Sequence, residues 1–261
     1  MTPEEPHFEL RLATEERDLL AAQRLRYNVF VTELGGDGDL VDHDRRLERD
    51  AYDPYYDHLL LIDRRRDAAA LDHVVGVYRL LPCDRVAKLG RYYSEGEYDL
   101  APLKASGRRL LELGRSCVHA EYRGGTAMFH LWNGLADYVL RREIEILFGV
   151  ASFHGTDIEA LRQPLSYLYR NHLAPEGLRV RVQPDHFQSM DLLPPDAIDR
   201  REAMRLTPAL IKAYIRLGGF VGDGAFVDHA FNTTDICLLM DTRVMSEKHR
   251  GFYTRKQEAR V

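Results

Sequence analysis

Residues 110–153 read LLELGRSCVHAEYRGGTAMFHLWNGLADYVLRREIEILFGVASF, and this stretch decides the fold. Leu110–Val118 is rich in apolar and β-compatible residues and predicts a strand. Tyr122-Arg123-Gly124-Gly125 breaks the chain. Thr126 can cap a helix running to about Arg142, with Ala127, Leu131, Leu135, Tyr138 and Val139 recurring at helical spacing. Ile144–Ser152 is a nearly all-apolar run suited to a strand buried on both faces. A two-glycine turn entering a helix leaves backbone N–H groups free at the positive end of the helix dipole, where a phosphate can sit. An ordinary β-α-β packing unit is an equal reading of the same residues. The glycines match neither G-x-G-x-x-G nor G-x-x-x-x-G-K-[ST], which disfavours a dinucleotide or a nucleoside triphosphate.

Upstream, Phe8–Ala13 alternates as a strand. Thr14 can cap a helix whose first turn holds Glu15 and Glu16, which carries Leu19, Leu20, Ala22, Leu25 and Val29 inward and ends near Phe30–Thr32. Asp37–Asp57 is a polar, acidic loop long enough to be a binding loop or lid. His58–Asp63 and Val74–Leu81 predict two strands joined by a charged connection. Downstream, Asp157–His172 predicts an amphipathic helix, Arg179–Val182 a short strand, and Gln183–Arg201 a proline-rich surface excursion. Pro208 opens a helix stopped by Gly218-Gly219. Gly222–Phe231 and Thr234–Asp241 predict the last strands. The interleaving is that of a mixed α/β protein, expected to form one domain over residues 1–261, with a core over 8–182, an excursion over 183–206, and residues 207–261 completing the sheet.

The chain has 261 residues, 45% hydrophobic and 30% charged, with a net charge of −5. That describes a globular protein without a global basic signature for nucleic acid. No apolar run reaches bilayer-spanning length. The acidic opening MTPEEPHFEL lacks a signal core, so a cytoplasmic protein is expected. Three scattered cysteines give neither a disulfide framework nor a metal site, and the eleven histidines show no ligand spacing. The tail from Asp241 is locally basic, with Arg243, Lys248, Arg250, Arg255, Lys256 and Arg260 against three acids, which suits an anionic membrane face as well as plain solvation.

Ser152 lies in no G-x-S-x-G elbow, which removes support for a serine hydrolase. His58…Asp63 and His186…Asp191 fit an H-x-x-x-x-D acyltransferase pattern, but His58 and Asp63 would face opposite sides of a strand. Charges inside apolar strands are more informative: Arg79 in Val74–Leu81, and Glu112 and Arg115 in Leu110–Arg115. Buried charge is costly unless paired or used, so these residues form a structural ion pair or a site. A bulge at Gly114 would turn Glu112 and Arg115 to a common side.

Arg26-Tyr-Asn-Val-Phe30, Asp50-x-x-Asp53, Gly76-x-x-Arg79-Leu-Leu-Pro82 and Glu112-Leu-Gly-Arg115 together resemble the acyl-homoserine lactone synthases, which belong to the Gcn5-related N-acyltransferase fold. Phe148-Gly-Val-Ala-Ser-Phe153, Pro164–Tyr169, Thr207–Gly218, Val221–Ala225 and Asp228–Cys237 narrow the resemblance to the ornithine N-alpha-acyltransferases of ornithine-lipid synthesis, sometimes labelled hemolysin-like. The match runs from about residue 8 to 255. It implies a mixed sheet flanked by helices with a family-specific C-terminal extension. The implied reaction moves a 3-hydroxyacyl group from acyl carrier protein to the α-amine of L-ornithine, with no tightly bound cofactor and no metal.

On this resemblance Glu112 is the base. Arg79 and Arg115 grip the substrate carboxylate, or instead position Glu112, Asp50 and Asp53. Arg26, Phe30, Asp50, Asp53, Ser152, Asp228 and Asp235 line the substrate, Asp228 and Asp235 being candidates for the ornithine ammonium or equally turn residues beside Asn232. Arg123, Gly124, Gly125, Thr126 and Ala127 hold the donor's phosphate. The acyl-donor signature [RQ]-x-x-G-x-[GA] is altered, since Thr126 replaces its glycine. This favours the 4'-phosphopantetheine arm of acyl carrier protein, with acyl-CoA the alternative donor. The rival readings are an acyl-homoserine lactone synthase, an acyltransferase for another amino acid such as glycine, and a non-catalytic hemolysin-like membrane-binding protein. A lipid product and the basic tail suggest peripheral membrane contact.

Overall fold

The computed structural model describes residues 6–243. Most of the basic tail, including Lys248, Arg250, Arg255, Lys256 and Arg260, lies outside the described residues. The chain forms two compact units, one from residues up to Leu89 together with Leu113–Arg142, the other from Gly90–Glu112 and the residues after Arg142.

In the first unit, strands β1 (Phe8–Leu12), β2 (Asp57–Asp63) and β3 (Val74–Pro82) pair antiparallel in that order. Helix α1 (Glu16–Arg26) starts one residue later than the sequence suggests. Glu15 is the N-cap, and Asp18 accepts the Thr14 and Glu15 N–H groups. It passes into a π-helical stretch, Tyr27–Glu33, whose wider turn carries the predicted helix to its end. Ala21, Ala22, Leu25 and Val29 bury against Leu60, Ile62, Val74, Val77 and Cys117, and Phe30 packs on the same cluster. Helix α4 (Ala127–Arg141) packs on β1, β2 and β3. Its seat depends on Gly76, where an added Cβ would lie 2.8 Å from Leu131 Cδ1 and 3.3 Å from Leu61 Cβ.

A short helix α2 (Cys83–Leu89) follows β3. In the second unit β4 (Tyr98–Asp99) and helix α3 (Ala101–Ala105) precede the central strand. Strand β5 (Leu110–Val118) begins in this unit and ends in the first. Its residues Leu110, Leu111 and Glu112 pair parallel with Ile146, Leu147 and Phe148 of β6 (Ile146–His154). The central strand–helix–strand is therefore a parallel crossover, as its sequence predicts.

Helix α5 (Arg162–His172) is shorter than expected. Asp157 instead caps a turn through Glu159 and Ala160, and Pro164 fits only the first turn of a helix. Strand β7 (Arg181–Val182) pairs with β4. The proline-rich excursion buries Met190 completely and adds a helix α6 (Arg200–Leu206), capped by Asp199. Helix α7 (Ala209–Arg216) follows Pro208 and stops before Gly218, whose φ is 91°. Strand β10 (Thr233–Asp241) pairs antiparallel with β6 on one side and with β8 (Phe220–Val221) and β9 (Phe226–Asp228) on the other. The strands form an eight-stranded mixed sheet.

Gly76→Ala is expected to destabilise the protein by about 1–3 kcal/mol, because overpacking against the fully buried Leu131 outweighs the roughly 1 kcal/mol strand preference of alanine. Urea unfolding checks this.

Candidate active site

In the first unit, six charged side chains close into one network. Arg26 Nε donates to Glu48, and its Nη1 lies 2.6 Å from Asp53 Oδ1. Arg79 Nη1 reaches the two oxygens of Asp50 at 2.7 and 2.6 Å and Asp53 Oδ1 at 2.9 Å. Arg115 Nε lies 3.1 Å from Glu48 Oε1 and Nη2 3.5 Å from Asp50 Oδ2. Gln23 donates to Asp53 Oδ2, and the Arg79 guanidinium sits 4.3 Å from the centroid of the Tyr56 ring. Arg26, Glu48, Asp53 and Arg79 are buried, and three cations face three carboxylates.

Burial opposes ionisation of Glu48, but Arg26, Arg115 and Arg79 outweigh it and hold the carboxyl down at about 2. Burial likewise opposes Asp53, and Arg26 and Arg79 pull it well below the usual carboxylate range. Sequence reasoning picked out Arg26, Asp50, Asp53, Arg79 and Arg115. It missed Glu48, which sits in the polar loop with no local signal; only an accounting of buried arginines against acids would have suggested it. That loop is pinned inward through Leu47, Glu48 and Asp53, so those residues do not belong to a free lid.

Strand β5 carries the second part. Its irregularity falls on Arg115 itself, at φ 49°, one residue after the glycine expected to bulge. A non-glycine residue in the left-handed region is strained by about 1–3 kcal/mol, and here the Arg115 side chain joins the acid network. Glu112, in the second unit, is buried. Its Oε2 accepts the Tyr93 N–H at 2.9 Å and its Oε1 the Ser94 N–H at 2.7 Å. Tyr92 packs edge-on against Phe148 beside it.

The pairing register puts Glu112, Phe148, Ser152 and Asp235 on one face of the sheet, since directly opposed residues share a side. Ser152 is exposed and Asp235 buried. Asp228 is a turn residue, its Oδ1 accepting from Ala230 and Phe231 N–H.

The third part is the turn after β5. Gly124 has φ 76°, which only glycine adopts at little cost. Helix α4 starts after Thr126, but the Thr126 side chain makes no capping bond, contrary to the expectation from sequence. Among the described residues the N–H groups of Gly124, Gly125, Thr126 and Ala127 have no backbone acceptor. Arg123 does not project freely toward a ligand: its Nε donates to Val118 O at 2.9 Å and its Nη2 pairs with Glu33 at 2.7 Å. It ties the turn to the end of β5 and to the π-helical stretch. Among the described residues no cluster of His, Cys, Asp and Glu could hold a metal, and no helix is long and apolar enough to cross a membrane.

The acid network gives a pH signature. Glu48 has an unfolded reference of 4.5 and a folded value of about 2, so its stabilisation is complete above about pH 4.5 and is lost as pH falls through 2. Stability measured by urea unfolding is expected to fall across that window. Glu48→Gln should flatten the fall and cost about 3–5 kcal/mol at pH 7, because Arg26 loses its charged partner in a buried site. Parallel pH curves for the two proteins would contradict the assignment.

A model of the acetyltransferase (GNAT) domain matches residues 25–133. FeeM, an N-acyl amino acid synthase from uncultured soil microbes, superposes with a TM-score of 0.51 over 92% of this chain and 93% of that one, at 12% identity, which speaks to fold alone. An L-ornithine N(alpha)-acyltransferase of Rhodobacter capsulatus is 64% identical over 97% of both chains. One of Brucella abortus is 39% identical over 94% of this chain and 88% of its own. Identity of this extent along nearly the full length places the chain in the L-ornithine N(alpha)-acyltransferase family.

Proposed function

We propose that this protein acylates the α-amine of L-ornithine with a 3-hydroxyacyl group delivered by acyl carrier protein, giving a lyso-ornithine lipid. The observation that carries this reading is 64% identity, over 97% of both chains, to a relative of that name. The geometry supports it in three ways. The turn at Gly124–Ala127 offers backbone N–H groups at the start of a helix, where the dipole favours a phosphate. Strand β5 holds a carboxylate in a fixed orientation. The β5–β6 ladder stops at Glu112 and Phe148, so backbone N–H groups beyond it are candidates to receive the thioester carbonyl oxygen.

The reaction forms one C–N bond and breaks one C–S bond. A neutral amine attacks the thioester carbonyl, the tetrahedral oxyanion collapses, and the carrier's thiolate leaves. The proton lost by the amine ends on the thiol. Glu112 is assigned as the base, directly or through one water. The Tyr93 and Ser94 N–H groups fix the direction of both of its oxygens, and a carboxylate fixed in this way can take a proton. With Arg79 and Arg115 engaged by Asp50, Asp53 and Glu48, the role that fits them is to hold β3 and the bend of β5 in place. Thr126 in place of a signature glycine favours the phosphopantetheine arm over coenzyme A. A lipid product and the basic tail favour peripheral contact with the cytoplasmic membrane face.

The test is product identification by mass spectrometry with purified protein, 3-hydroxyacyl carrier protein and L-ornithine. N-acylornithine is the expected product, and an acylated lactone from S-adenosylmethionine instead would overturn the reading. Acyl-CoA is expected to be a poorer donor than the carrier protein; equal use of the two would remove the carrier assignment. Glu112→Gln should lower kcat by roughly 10²–10⁴. A change within about twofold at saturating substrates would refute the base.

A further inference from the structure

The established relatives name the acceptor but not how a dibasic amino acid is told from one with an uncharged side chain. A face of the second unit's sheet carries the chemistry for that distinction. Antiparallel partners share a side, so Ser152 and Asp235 face together, and so do His154, Thr233 and Asp228. Alternation along each strand puts Thr233, Asp235 and Cys237 on that same side. Asp228 is spent on its turn. Asp235, 6% exposed, is the strand carboxylate directly opposite the exposed Ser152 in the ladder.

Two observations independent of the acids point to a ligand. The Thr233 hydroxyl, on this face and in a residue 8% exposed, has no hydrogen-bond partner among the described residues. The fully buried Ser94 hydroxyl also has none there, while its N–H is bonded to Glu112. Leaving a buried hydroxyl without a partner typically costs about 1–3 kcal/mol, so a site that keeps one beside a carboxylate suits a donor brought from outside.

A second buried carboxylate, Glu97, lies close by. The Tyr98 hydroxyl sits 3.0 Å from Gly224 O and 3.1 Å from Asp235 O, which anchors the segment after Glu97 against β10. Burial first, then Cys237, Glu97 and Asp235, push the Tyr98 phenol well up. Burial first, then Glu112 and Glu97, push up the Cys237 thiol. After burial, Glu97 acts on both groups in the same direction.

We propose that Asp235, with the hydroxyls of Ser152 and Thr233, holds the side-chain ammonium of the acceptor amino acid and makes the enzyme specific for a dibasic substrate. This rests on the reading of the protein as an amino-acid N-acyltransferase. An ammonium has three donors and no acceptor, and a carboxylate with two hydroxyl oxygens satisfies all three. A charged hydrogen bond of this kind is worth about 1.5–3 kcal/mol, which is roughly a 10–150-fold preference. Asp235 is thus a specificity residue, distinct from the base on β5.

The experiment compares L-ornithine with L-norvaline, which has the same carbon chain without the terminal amine, in wild type, Asp235→Asn and Thr233→Val. Wild type is expected to favour ornithine in kcat/KM. Asp235→Asn should lower the ornithine-to-norvaline ratio by about 10–100-fold and Thr233→Val by a few-fold, chiefly through KM for ornithine. If norvaline turnover falls below detection, its inhibition constant against ornithine supplies the second arm. The ratio is internal to each protein, so partial loss of folded enzyme cancels. A ratio unchanged by Asp235→Asn, or near one in wild type, overturns the proposal and leaves the acyltransferase reading intact. Failure of wild type to acylate ornithine at all would overturn that reading instead.

Discussion

The constraint on which the first unit rests is the neutralisation of buried guanidinium groups. Arg26 and Arg79 are almost wholly removed from water, at 0% and 1% exposure. Isolated charges there would cost several kcal/mol each. Asp53 bridges the two, Glu48 and Asp50 complete the set, and Arg115 closes it from strand β5. The partners come from a helix, a long loop and two neighbouring strands, so the network ties the helix and the loop to the sheet. Removing any one member leaves an opposite charge stranded. That is a reason for polar residues to sit inside an otherwise apolar sheet without being the reacting groups.

The same network explains the shape of β5. Arg115 is held at a positive φ, and two acids grip its side chain. The strand is thereby bent three residues after Glu112, just beyond the end of its parallel ladder with β6. As the proposed base, Glu112 needs to be fixed in direction more than in strength. The N–H groups of Tyr93 and Ser94 supply that by clamping both oxygens of Glu112. The proposed donor contacts, base and acceptor face are carried by different local structures: a helix start, a clamped strand residue and an antiparallel ladder.

Local patterns were legible where a segment's own residues decide its structure. The strand, turn, helix and strand from Leu110 to Phe153, the helix after Pro208 and the strand Thr233–Asp241 follow from periodicity, glycine and proline. Pairing over long sequence separations was not. Glu48 meets Arg26 across 22 residues and Arg115 across 67, and nothing in its polar surroundings marks it. Asp50, Asp53, Arg79 and Arg115 stood out as charges in apolar or motif contexts, yet their spacing could not say whether they bind a substrate or one another. Arg123 reads as an anion ligand but is taken up by Val118 and Glu33.

By itself, then, the sequence determined the order of elements, the mixed α/β class, the family and the residues worth inspecting, because periodicity, turn chemistry and motif order are properties of contiguous chain. Only the tertiary structure decided which charges neutralise each other, that the bend falls on Arg115 and not on Gly114, and which acids share a face with Ser152. Those outcomes depend on strand register and on desolvation, and both are set only when distant segments meet.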